Sequence, residues 1–70
     1  MLKSKIRLCI EVSGVSREEI SKRMGISRNQ LSNYSSGKSF PSMERAFQLS
    51  RILGVTVEDL YEYKEDKNED

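Results

Sequence analysis

Between Gly25 and Lys38 the chain gathers side chains able to make paired hydrogen bonds in one plane. At about 100° per residue, a helix here sets Arg28, Asn29, Ser32 and Asn33 within one arc of about 140° and turns Leu31 and Tyr34 to the opposite side. A guanidinium can bridge O6 and N7 of guanine, and a carboxamide can bridge N6 and N7 of adenine. The arc therefore carries the chemistry of reading base edges in a major groove. A solvated surface helix would use the same residue types, so the assignment depends on what stands around it.

Two neighbouring stretches offer contacts to phosphate. Arg17 falls at the start of a preceding helix, where a cation opposes the helix dipole by about a few tenths of a kcal/mol. A phosphate at that helix end would be held by free backbone N–H groups and Arg17 together, which gives the cation a reason to be there. After the arc, the run Ser35-Ser36-Gly37-Lys38-Ser39-Phe40-Pro41 is a loop of small residues with Gly37 at positive φ. In such a loop Ser36, Lys38 and backbone N–H groups can approach phosphates closely. The plain alternatives are an exposed arginine and a connector.

Positioning these groups takes a helical scaffold. Leu2, Ile6, Cys9 and Ile10 follow i, i+4, i+7, i+8 and predict a first helix from about residue 3 to Ser13, closed by Gly14. Cys9 then belongs to the core, with nothing nearby to activate its thiol. Ser16 and Glu19 form a capping box that starts a second helix burying Ile20 and Met24, with Val15 placed as a hydrophobic staple onto Ile20. Gly25 ends it, and Ser27 with Gln30 forms the box that starts the third. Ser42 caps a fourth helix to Leu53 whose buried side is read as Met43, Ala46, Phe47, Leu49, Ser50 and Leu53, with Gly54 at its end. Thr56-Val57-Glu58-Asp59 predicts a short fifth helix that docks Leu60 and leaves Tyr61 and Tyr63 partly exposed.

Length and composition bound the rest. Seventy residues support one core. Helical spacing of the aliphatic residues, one Pro, no Trp and no Asn-Gly or Asp-Gly pair predict an all-α bundle that needs no sheet. The domain is read as residues 1–63, with the helix-turn-helix at about 16–35 and a frayed acidic tail from Lys64 to Asp70. A single Cys forbids an internal disulfide, and the absence of His leaves no Cys/His metal set and no His-based dyad. With no paired-carboxylate cleft and no glycine-rich phosphate loop, the chain reads as a non-enzyme with no cofactor, no metal and no visible effector pocket. The N-terminal apolar run is broken by Arg7 and Glu11, so it reads as neither signal nor anchor, and the expected compartment is cytoplasmic. Net charge is +1, and the last seven residues carry −2, leaving +3 on residues 1–63. That is a mild electrostatic hint, since a DNA reader needs a local basic patch rather than a basic whole.

The succession Val15-Ser16-Arg17-Glu18-Glu19-Ile20-Ser21, Met24-Gly25-Ile26-Ser27, Leu31-Ser32-Asn33-Tyr34, Gly37-Lys38, Pro41-Ser42 and Leu53-Gly54-Val55-Thr56 resembles the lambda-repressor and Cro-like helix-turn-helix domains, the xenobiotic-response-element family, over residues 6–61. The resemblance implies a compact five-helix bundle whose third helix enters the major groove while the second crosses the backbone. It implies base reading by Arg28, Asn29 and Asn33 with Ser32 nearby, and phosphate holding by Arg17, Ser27, Ser36 and Lys38. Where such domains usually have Gln, this chain has Arg17, which makes that contact charge-assisted. Where they commonly pair an Arg with a Glu in the interior, it has Ile10 and Ser35, so no buried orphan charge is left.

The reading that follows is a sequence-specific transcriptional regulator, most simply a repressor on a palindromic site. One recognition helix reads about 4 base pairs, so specificity calls for two copies about 34 Å apart, a homodimer that is weak off DNA and tightens on it. The pairing surface is sought around Phe40, between the fourth and fifth helices, or at Tyr61 and Tyr63. The alternative is an antitoxin-like protein-interaction module whose DNA binding is secondary.

Overall fold

A computed structural model of the chain describes residues 1–65. In order they form β1 (Leu2–Ser4), α1 (Ile6–Ser13), α2 (Arg17–Met24), α3 (Arg28–Ser36), α4 (Met43–Leu53), a single 3-10 turn (Glu58–Leu60) and β2 (Tyr61–Tyr63). The architecture is thus four α-helices and a small sheet, where the sequence predicts five helices and no strand.

Both ends of the chain account for the difference. The first helix begins at Ile6, not near residue 3. Leu2 to Ser4 instead pair antiparallel with Tyr61 to Tyr63, in the register Leu2↔Tyr63, Lys3↔Glu62, Ser4↔Tyr61. Leu2 is consequently exposed rather than a core residue. The capping signal at Thr56 is real: Thr56 N–H donates to the Asp59 carboxylate at 3.0 Å, and Asp59 N–H donates to the Thr56 hydroxyl at 3.1 Å. Only one turn follows it, because Leu60 has already reached the core and Tyr61 goes to the sheet. The ladder also runs into the expected tail, with Lys64 N–H donating to the Met1 carbonyl at 2.8 Å. The remainder of that tail, residues 66–70, lies outside the described residues.

Serine caps start the other helices where the sequence places them. Ser16, Ser27 and Ser42 each accept from the backbone N–H three residues on, at 3.1, 3.0 and 3.2 Å. The core is one cluster of Ile6, Ile10, Ile20, Met24, Leu31, Tyr34, Ala46, Leu49, Leu53 and Leu60, with Cys9 and Val15 packed half-buried against it. Burial and the Asp59 charge push the Cys9 thiol up from its ordinary value, the direction that disfavours the reactive thiolate. Met43 and Phe47 are 75% and 53% exposed, contrary to the buried stripe read for α4. Ala46, Leu49, Ser50 and Leu53 are the buried residues of α4, an arc of about 100°, with Ile52 half-buried against the core beside them. Phe47 falls off its flank and Met43 lies at the helix start, beyond the packed layer.

Candidate nucleic-acid interface

Gly25, Ile26 and Ser27 make the turn between α2 and α3. Gly25 sits at φ +67, a left-handed conformation that L side chains rarely adopt, and lets Ile26 N–H return to the Ser21 carbonyl at 3.0 Å. Half-buried Ile26 packs on the core and fixes the angle between the two helices. From there Leu31, Tyr34 and Ser35 anchor the inner side of α3. Arg28, Asn29 and Ser32 are exposed and Asn33 is half-buried on its outer side. The structure thus brings the four predicted base-reading residues onto one solvent-facing surface.

The predicted phosphate contacts surround this surface to different degrees. Ser27 is exposed, but its hydroxyl oxygen already accepts from Gln30 N–H, leaving its O–H to donate. The Ser36 hydroxyl donates to the Asn33 carbonyl at 3.3 Å, and Lys38 N–H donates to that same carbonyl at 2.9 Å. Gly37, at φ +84, makes the tight return, and a Cβ built there would meet Ser4 Cβ at 3.6 Å. The Lys38 side chain is exposed.

Arg17 is held more firmly than the sequence suggests. Its guanidinium donates to the Ser35 hydroxyl at 3.2 Å, while that hydroxyl donates to the Leu31 carbonyl at 3.0 Å. A small polar residue at 35 therefore lets the arginine of α2 lean on α3. This fixes a cation at the start of α2 next to the polar face.

Two participants escape the sequence reading. Gln30 and Arg45 both donate to the Tyr34 hydroxyl, each at 3.1 Å, which ties α4 to the flank of α3. Gln30 donates through its amide nitrogen, and its carboxamide oxygen makes no hydrogen bond back to the Ser27 N–H among the described residues, so the capping box is left half-made. Helical spacing marks Tyr34 as inward-facing, but nothing in it shows that the phenol would collect an arginine 11 residues away.

Comparison with known proteins follows the same outline. The helix-turn-helix family model matches residues 6–60. An uncharacterized HTH-type transcriptional regulator of Methanocaldococcus jannaschii is 29% identical, covering 94% of this chain and all of that protein. Another from Archaeoglobus fulgidus is 26% identical over 94% of each chain. The crystal structure of a putative DNA-binding protein from Bacteroides fragilis superposes with a TM-score of 0.83 at 24% identity, covering 89% of this chain and all of the other, and so shares the fold. With the model matched over most of its length and the turn, caps and core in place to build it, the chain belongs to the helix-turn-helix family of the lambda-repressor-like kind.

Proposed function

We propose that this domain is a sequence-specific double-stranded DNA reader that acts as a transcriptional regulator, most simply a cytoplasmic repressor occluding a palindromic operator as a homodimer. The observation that carries the reading is the face of α3: four hydrogen-bonding side chains turned to solvent on a helix whose other side is locked into the core. Arg28, Asn29 and Asn33, with Ser32, read bases in the major groove. Arg17, Ser27, Ser36 and Lys38 hold phosphates on either side. The relatives named as transcriptional regulators support the same reading.

Selection of bound duplexes from a random pool with the purified protein tests it. A recovered site made of two inverted half-sites about one helical turn apart is the expected result. Absence of enrichment favours the protein-interaction alternative, for which exposed Leu8 and Val12 of α1, beside Leu53 and Val55, offer an apolar groove.

A further inference from the structure

Viewed down the axis of α3, the readers Arg28, Ser32, Asn29 and Asn33 stand at about 0°, 40°, 100° and 140°. Tyr34 falls at about 240°, almost directly behind the middle of that arc, while Ser35 and Gln30 lie just past its two borders, at about 340° and 200°. Each border is braced from another element. On one side Arg17 of α2 donates to the Ser35 hydroxyl at 3.2 Å. On the other, Gln30 and Arg45 of α4 meet at the Tyr34 hydroxyl, both at 3.1 Å.

Nothing within α4 itself favours an arginine at position 45. It is the third residue of the helix, where a cation opposes the helix dipole. It is also half-buried, which strips a charge of part of its hydration. Its use lies across a gap between elements. α3 lies closely against α1, α2 and β1, whereas α4 approaches it less closely, and the long arginine side chain spans that distance to the phenol. The gain is directional. Packing of Leu31 and Tyr34 into the core resists separation of α3 but not rolling about its axis, because apolar contact has no preferred direction, whereas a hydrogen bond does. A roll of about 20° would carry a side-chain tip about 5 Å from the axis through about 2 Å, far more than the about 0.3 Å that a hydrogen bond to a base edge tolerates.

We propose that Arg45 is a positioning residue for base readout: through the Tyr34 hydroxyl it fixes the roll of α3, opposite the Arg17–Ser35 brace, and so aims Arg28, Asn29 and Asn33 at their bases. This rests on the reading of α3 as the helix that reads DNA, and adds that an arginine on another helix, acting only through Tyr34, sets the precision of that reading. The two arginines then divide the work. Arg17 braces one border and gives its charge to a phosphate, whereas Arg45 braces the other and is spent on the phenol.

Binding of Arg45→Met and Tyr34→Phe to the selected duplex and to a random one tests the brace, with circular dichroism confirming that both variants keep their helices. Each should lose about tenfold on the selected site and little on the random one, as expected when base contacts are misaimed and phosphate contacts stay. The salt slope should fall by well under the unit of about 1 that a lost phosphate contact removes. The double variant should lose no more than the worse single one, because both changes break the same bond. Arg45→Lys, which keeps a donor and the charge, should return to within about threefold of the unmodified chain. In the absence of DNA, residual dipolar couplings of the α3 amides should change in Arg45→Met, reporting a reoriented helix. The proposal is overturned by an unchanged ratio of selected to random binding, by an even loss with a slope lower by about 1, which would make Arg45 a phosphate contact, or by unchanged couplings. A selection that recovers no site rejects the DNA reading itself, and the couplings still decide whether Arg45 sets the roll of α3.

Discussion

In the proposed reading, individual side chains on α3 carry the sequence preference. Arg28→Ala should cost about 1–3 kcal/mol on the selected site and relax the preference at one base pair, as expected for the loss of a bidentate guanine contact. An unchanged preference profile would remove Arg28 from the readers. The Arg17–Ser35 hydrogen bond separates charge from placement. Arg17→Ala, like Lys38→Ala, should weaken binding evenly across sequences and lower the salt slope by about 1. Ser35→Ala leaves the charge and hence the slope, but frees the guanidinium and should lower affinity severalfold, measured in parallel salt titrations. Away from the interface, the Ser21 hydroxyl is buried with no hydrogen-bond partner among the described residues. Ser21→Ala should therefore stabilise the fold by about 0.5–2 kcal/mol in urea unfolding, by removing an unsatisfied group and improving helix propensity. A loss of stability would mean that the hydroxyl is satisfied in solution.

At the scale of elements, the reciprocal cap between Thr56 and Asp59 has the clearest consequence. Hydrogen bonds from the Thr56 backbone and hydroxyl hold the Asp59 carboxyl below its ordinary value of 3.8. A carboxylate whose folded pKa is depressed contributes stability above its unfolded pKa and loses it as pH falls through the folded value. The stability advantage of the wild type over Asp59→Asn should therefore be full at about pH 5 and shrink toward about pH 2 in a urea-unfolding series. An advantage that does not change with pH would show that the charge of Asp59 takes no part in the cap. The same turn explains why the predicted fifth helix is brief. Its start signal is local and was legible, whereas its end is set by Leu60 meeting α1 and by β2 meeting β1, partners more than 50 residues away in the chain.

For the molecule as a whole, one core sets stability and orients the polar face. A domain of this length has about 4–10 kcal/mol to lose, so removing a fully buried anchor should be decisive. Leu49→Ala should cost about 2–5 kcal/mol, a large part of that total, whereas Phe47→Ser, on the exposed flank of α4, should cost about 0.5 kcal/mol or less. Circular dichroism during urea titration checks both, and equal losses would restore Phe47 to the core. Sequence alone determined the serine caps, the glycine turn between α2 and α3, most core positions and the solvent-facing grouping of Arg28, Asn29, Ser32 and Asn33. All of these follow from interactions within one or two helical turns, where spacing fixes geometry. Only the tertiary structure decided that the chain ends form a sheet, that Met43 and Phe47 stay outside, and that Ser35 and Tyr34 gather Arg17 and Arg45. Those outcomes depend on which surfaces meet across the core, and a period along one helix carries no information about the element facing it.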